Sequence, residues 1–271
     1  MAKIHGGQVV ARALKALGTD TLFTLTGGHI LAILDGCVQE GIRIVDVRHE
    51  QTAAHAAEAH TRLTGKLGVA AVTAGPGVTD AITGVATAYS AGTPMLLMGG
   101  RHLLRQELMG GLQEMDHPPL FEGITKWAGT AWQTNRLAEY VMTAARHAFD
   151  GRGGPAFLDI PMDIQLDMVD EDSVIMPSAP RRHLGGVDEP TLDAIISALA
   201  DSERPMIFAG ADSAGGTNRL ADLADALRAP TFTNGRARGS LPHDHPFLGN
   251  HARTSAFAGA DLVLALGVDW D

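Results

Sequence analysis

As far as Ile160, short apolar runs rich in β-branched residues alternate with patterns of helical period, and no other feature constrains the fold as tightly. The runs are Thr21–Leu25, Ile42–Val47, Gly68–Thr73, Pro94–Met98 and Ala156–Ile160. Helix patterns cover Gln8–Leu17, Ile30–Gln39, Gln51–Leu63, Thr79–Ser90 and Leu137–Phe149. A strand that is apolar throughout must be covered on both faces, so such strands separated by helices predict an α/β fold with a doubly wound parallel sheet. Gly27-Gly28, Gly75-Pro76-Gly77 and Gly99-Gly100 stand at strand ends, where a chain leaving a sheet turns sharply.

The pattern breaks from Pro161 to about Asp188, a stretch holding Pro177, Pro180, Arg181, Arg182, Gly185, Gly186 and the acids Asp170 to Asp172. It divides the chain into a first domain over 1–165, a linker over 166–188 and a second α/β unit over 189–271. In that second unit a helix is expected near Leu192–Leu199, a strand at Met206–Ala209, a helix at Arg219–Leu227, and strands at Pro230–Thr233 and Asp261–Gly267. This is an incomplete Rossmann-like domain. Its last strand is so apolar that it is expected to be buried on both faces, yet no covering helix follows. A longer parent chain, or a second polypeptide, is expected to complete it.

Composition narrows the function classes. A formal charge of −10 argues against a nucleic-acid backbone as partner, because such partners require a concentrated basic face. One cysteine, Cys37, excludes a disulfide scaffold. No apolar run reaches the roughly 20 residues of a spanning helix, and no secretory signal opens the chain, so a soluble cytoplasmic protein is expected.

Four segments could carry chemistry. Asp46 to Glu58 places Glu50 where a strand's carboxyl end meets a helix, the position at which open α/β sheets bind ligands. In isolation Glu50 reads equally as a first-turn acid favoured by the helix dipole. The small residues Ala53, Ala54, Ala56, Ala57 and Ala59 fit a packed dimer interface with Glu50 facing a cleft. No metal site is expected, because His49-Glu50 is followed by Ala53 where a zinc protease needs its second His, and His55 and His60 are five apart. Thr73-Ala74-Gly75-Pro76-Gly77-Val78-Thr79-Asp80 reads either as a plain strand-turn-helix or as a backbone shelf for a flat ligand. It fails as a dinucleotide fingerprint, since Asp80 stands where the third glycine belongs, and this weakens a nicotinamide oxidoreductase reading. The dense polar loop Gly110 to Pro119, with Gln113, and His29 after Gly27-Gly28 complete the set.

In this order the segments resemble the N-terminal half of the thiamine-diphosphate enzymes of the acetolactate synthase family. The resemblance rests on Arg48-His49-Glu50-Gln51, Thr73 to Asp80, Ala86-Thr87-Ala88-Tyr89, Leu112-Gln113-Glu114-Met115-Asp116, Ile124-Thr125-Lys126-Trp127 and Leu158-Asp159-Ile160-Pro161. It is strongest over 4–165, as the pyrimidine-binding domain, and continues through 204–271 as the first part of the central domain. Benzaldehyde lyase, a relative in that family, is similar in more detail, with His29, Glu50 and Gln113 on positions used in its active site. Thr24-Leu25-Thr26-Gly27-Gly28-His29 departs from the family's Gly-Tyr-Pro-Gly-Gly, and Asp80 from its Asn.

The resemblance implies a carboligase or lyase that makes or breaks a carbon–carbon bond next to a carbonyl, on a 2-oxo acid, aldehyde or 2-hydroxy ketone. It implies that Glu50 hydrogen-bonds N1′ of the cofactor's aminopyrimidine, that Thr73, Ala74, Gly75, Pro76, Gly77 and Asp80 form the pyrimidine shelf, and that Gln113 and His29 serve the substrate carbonyl. Magnesium ligands are expected from the C-terminal diphosphate-binding domain, which these residues lack. Flavin would involve Gly210 to Gly216 and Thr233 to Gly239. The expected assembly is a dimer or tetramer, or a complex with a complementing second chain. The alternative is a non-catalytic half-protein that works only through such a partner.

Overall fold

The computed structural model describes residues 2–180, 186–214, 217–249 and 251–268. It divides into two compact units, Met1–His183 and Leu184–Asp271. In the first unit the chain runs β1 (Lys3–His5), α1 (Gly6–Ala16), β2 (Thr21–Leu25), α2 (Leu31–Gln39), β3 (Arg43–Asp46), α3 (Glu50–Thr64) and β4 (Gly68–Val72). It continues through α4 (Pro76–Asp80), α5 (Ile82–Ser90), β5 (Met95–Arg101), β6 (Trp127–Thr130), α6 (Leu137–Phe149), β7 (Pro155–Pro161), α7 (Met162–Leu166) and β8 (Met168–Asp170).

Six strands form one sheet in the order β3-β2-β4-β5-β7-β6, parallel throughout. The doubly wound sheet is therefore present, and side-chain alternation accounts for it. Along β4, Val69 and Ala71 enter one core while Ala70 and Val72 enter the other; along β5, Leu96 and Met98 oppose Met95 and Leu97. The first core is closed by α1, α2 and α6, and the second by α3 and α5. Because β4, β5 and β7 are buried at every residue, no polar alternation exists in their sequences.

Several expectations are corrected. Of the five alanines read as a packed interface, Ala53, Ala54 and Ala57 are fully buried in the core of their own sheet, and only Ala56 and Ala59 lie outside it. The helix expected over Thr79–Ser90 starts earlier, with Pro76 in its first turn, and is interrupted at Ala81. Residues 168–170, within the expected linker, form β8 and pair antiparallel with β1. Residues 181–185, also within it, lie outside the described residues.

The second unit holds α8 (Glu189–Asp201), β9 (Pro205–Ala209), α9 (Thr217–Leu227), β10 (Thr231–Thr233), α10 (Arg253–Gly259) and β11 (Leu262–Leu266), with a parallel sheet in the order β10-β9-β11. The final strand is not buried on both faces as expected. Among the described residues it pairs with β9 alone, at the edge of this sheet, and Leu264 and Leu266 face the core while Val263 is 37% exposed. Among the described residues no helix is long and apolar enough to cross a membrane.

Candidate functional site

The strand order reverses between β2 and β4: the chain steps outward from β2 to β3, then returns to place β4 on β2's other side. Parallel sheets open a crevice at such a point, beyond the carboxyl ends of the strands. Sequence-identified residues from both strands meet there. His29, in a short turn of 3-10 helix after β2, is buried at 6% exposure, and its Nδ1 lies 3.2 Å from Oγ1 of Thr73, the residue after β4. Glu50 arrives from the third side, as the first residue of α3. His49 caps this helix by accepting the Gln51 amide on Nδ1 at 3.2 Å.

Glu50 is 8% exposed as a residue, and its carboxylate makes no hydrogen bond or ion pair among the described residues. A carboxylate on a largely buried residue, unpaired and at a crevice, is free to take a hydrogen bond from a ligand. The glycines beside it keep the crevice open. A Cβ on Gly77 would lie 3.3 Å from Glu50 Oε1 and 2.8 Å from Thr73 Cγ2. Gly75 adopts φ 62°, ψ −115°, a conformation closed to residues with a Cβ. The segment from Thr73 to Gly77 therefore brings bare backbone beside Glu50.

Gln113 joins the group from the loop after β5. It too has a left-handed backbone, φ 58°, and a Cβ built on Gly75 would touch the Gln113 Cβ at 3.0 Å. The loop carrying Gln113 thus rests on the shelf because residue 75 is glycine. Beside it, a cavity of about 410 Å³ is lined by Arg101, Glu107, Leu108, Glu114 and Met115. Asp80 lies farther out, exposed, with Oδ2 3.9 Å from Nε2 of His49.

Four further polar residues surround these and were not singled out from sequence. His117, fully buried, accepts the Gly75 amide on Nε2 at 2.9 Å, and its Nδ1 lies 2.9 Å from Asp159 Oδ1. Arg101 donates to the other carboxylate oxygen of Asp159 at 3.1 Å and also pairs with Glu107 and Asp116. Burial pushes the Asp159 carboxyl up from its ordinary value, against the pull of His117 and Arg101. Burial would lower Arg101, but Asp159 and Glu107 outweigh it and raise the guanidinium. The signal for this pair was a charge inside each of two otherwise apolar strands. The fourth residue is His102. Its ring lies 6.4 Å from that of His29, and its Nε2 is buried without a hydrogen-bond partner.

Burial, reinforced by the charge His102 would carry, pulls the His29 imidazole below its ordinary 6.5. The unfolded chain therefore binds more protons than the folded one once pH falls through 6.5. His29 subtracts stability below that pH and subtracts nothing above it. Thermal unfolding of His29→Gln is expected to show a smaller drop in midpoint from pH 7 to pH 5 than the parent. Parallel pH curves for the two would contradict the assignment.

Although no metal was expected here, His49, Glu50 and Asp80 bring one potential ligand atom each within 4.8 Å of one another. Two of the three are exposed, and a hard divalent cation takes six or more oxygens, so this trio offers at most a partial set. In the second unit, Thr233, Asn234, Arg238 and Gly239 line a cavity of about 730 Å³ with His243 and His251. Of the other segment expected at a flavin, Gly215 and Gly216 lie outside the described residues.

Comparison with known proteins matches residues 4–120 to the thiamine pyrophosphate enzyme N-terminal TPP binding domain and residues 192–271 to the thiamine pyrophosphate enzyme central domain. A probable acetolactate synthase of Mycobacterium bovis is 39% identical over 275 residues, covering 99% of this chain and 49% of that protein. The acetolactate synthase large subunit IlvG of Mycobacterium tuberculosis is equally similar, at 39% over the same coverage. The 2-hydroxyacyl-CoA lyase 2 of Mus musculus is 33% identical over 303 residues, covering 98% of this chain and 48% of that protein. The chain spans about half the length of these curated relatives.

Proposed function

The chain belongs to the thiamine pyrophosphate enzymes, whose N-terminal and central domains it carries, and on that premise we propose that its crevice holds the aminopyrimidine of thiamine diphosphate for carbon–carbon bond chemistry next to a carbonyl. The observation that carries the proposal is Glu50, a buried residue whose carboxyl has no protein partner among the described residues, at the edge of a glycine shelf and at the sheet's switch point. A flat heteroaromatic ring with a basic nitrogen fits such a place.

When bound, the cofactor would supply a nucleophilic carbon and an electron sink; the protein supplies binding, orientation and a dry site. Glu50 would hold the pyrimidine through its N1′ nitrogen and would be the group able to share a proton there. Thr73 to Gly77 would offer backbone to the ring, with Asp80 nearby on the helix that follows. Gln113 and His29, with His102 beside them, are the side chains able to hydrogen-bond a substrate carbonyl and hold the developing alkoxide. Relatives named as a synthase and as a lyase support both directions of the reaction, on 2-oxo acids, aldehydes or 2-hydroxy ketones. Magnesium and the diphosphate fall to a C-terminal domain of the kind that completes the relatives' length, on this chain or on a complementing one. A dimer or tetramer would place such a domain opposite the crevice. A flavin would take the second-unit cavity, where Arg238 suits a phosphate.

Titration calorimetry of the native protein with thiamine diphosphate and Mg²⁺ tests the reading. Saturable, magnesium-dependent binding is expected, with at least about tenfold weaker binding by the 271-residue chain alone. A native protein that binds no thiamine diphosphate would overturn it.

A further inference from the structure

His117 belongs to no part of the chemistry above, yet it is completely buried and has both ring nitrogens engaged. A neutral imidazole has one donor and one acceptor nitrogen. The Gly75 amide can only donate, so Nε2 must accept and the proton must sit on Nδ1, facing Asp159. Asp159 accepts from His117 on one oxygen and from Arg101 on the other, so the carboxylate cannot turn away. Direction is thus forced along the whole chain of bonds, from the shelf amide to a guanidinium at the end of β5.

We infer that His117 is the positioning residue of the cofactor shelf, holding Gly75 in its left-handed turn and, through the same loop, setting Gln113 against that turn. Three observations converge on this. Gly75 has φ 62°, ψ −115°, one of many backbone conformations open to a glycine, so the surroundings must select it. Gln113 is also left-handed and packs its Cβ against Gly75, and it lies four residues before His117 in the same loop. Finally, the Gly75 amide has no partner among the described residues other than His117. One side chain therefore couples the surface that would carry the pyrimidine to the residue that would meet the substrate. His117 itself is completely buried and acts through Gly75 and its own loop.

This rests on the cofactor reading, and the experiment separates the two. His117→Asn keeps an amide donor near the Nδ1 position, toward Asp159, and removes the acceptor for Gly75. His117→Gln places an amide oxygen near the Nε2 position and restores that acceptor. In the native protein without cofactor, hydrogen exchange of a peptide spanning 73–79 is expected to quicken about tenfold or more in His117→Asn, because a buried donor has lost its partner. Affinity for thiamine diphosphate with Mg²⁺ should weaken about tenfold or more alongside. His117→Gln should recover both to within about threefold of the parent, which general loosening of the fold would not produce. Should His117→Asn not fold, the isosteric Asp159→Asn frees the imidazole to change tautomer and is expected to show the same two losses. Parental exchange and affinity in the folded variant would overturn the positioning role alone. Failure of the parent itself to bind thiamine diphosphate would overturn the cofactor reading and the shelf role with it.

Discussion

In the native protein loaded with thiamine diphosphate and Mg²⁺, Glu50→Gln is expected to slow deuterium exchange at C2 of the cofactor by about 10²- to 10⁴-fold, the range contributed by a well-placed acid or base. Glutamine preserves the volume of the side chain and its capacity to hydrogen-bond, but it cannot share a proton. Affinity should therefore change by less than about tenfold, the worth of one hydrogen bond. The geometry favours a large effect. The residue is buried, no protein group competes for its carboxyl among the described residues, and Gly77 leaves just enough room for it to face the crevice. Asp150 is the natural control, because it is an exposed acid that follows α6 at the opposite end of the sheet from the crevice. Asp150→Asn should leave exchange within about threefold of the parent. Quenched-flow proton NMR reads both variants, and an unaltered C2 exchange rate in Glu50→Gln would remove Glu50 from the chemistry.

How much of this was legible beforehand depends on whether the information was local. The five strands of the first sheet that were expected lie within a residue or two of their observed ends, except that β5 continues three residues past Met98 into Gly99-Gly100-Arg101. Burial on both faces forces continuous apolar runs, and those are visible in one dimension. Helix α6 matches its expected limits, Leu137 and Phe149, because its apolar stripe keeps helical period throughout. By contrast β6, Trp127–Thr130, is an edge strand of four residues, in which Trp127 and Thr130 favour extended chain but Ala128 and Gly129 do not. Helix α10 is also short, at seven residues, and its small residues carry little periodic signal. In the site, Glu50, Thr73 and Gly75 were legible from their places at strand ends. The bond between His117 and Asp159 spans 42 residues and follows no spacing rule, so only the fold reveals it. Misjudging β11 had a further cause: apolar content reports what a strand prefers to contact, and the described residues cover one of its faces.

The largest stability effect should come from beneath that pair. Phe157→Ala is expected to cost about 3–5 kcal/mol, the usual loss for truncating a buried phenylalanine. Its ring is fully buried in the core between the sheet and helices α3 and α5, where it stacks on Phe121 with centroids 4.0 Å apart and planes 10° from parallel. The stack adds roughly 0.5–1.5 kcal/mol beyond burial, which places the loss toward the upper end of the range. Phe157 also fills the space over Gly99, where a Cβ would come within 2.9 Å of its Cζ, so residue 99 has no side chain with which to fill the void. At roughly 2–4 °C per kcal/mol for a unit of this size, the midpoint of its thermal transition should fall by about 6–20 °C. The edge of the ring also meets His117, with centroids 6.4 Å apart. Truncation should therefore loosen the Gly75 turn as well, giving faster exchange over residues 73–79 even well below the midpoint. Phe157→Leu, which leaves a smaller void, should recover more than half of the stability. A Phe157→Ala midpoint within about 2 °C of the parent would mean that the surrounding side chains collapse into the space, and that His117 is held by its hydrogen bonds alone.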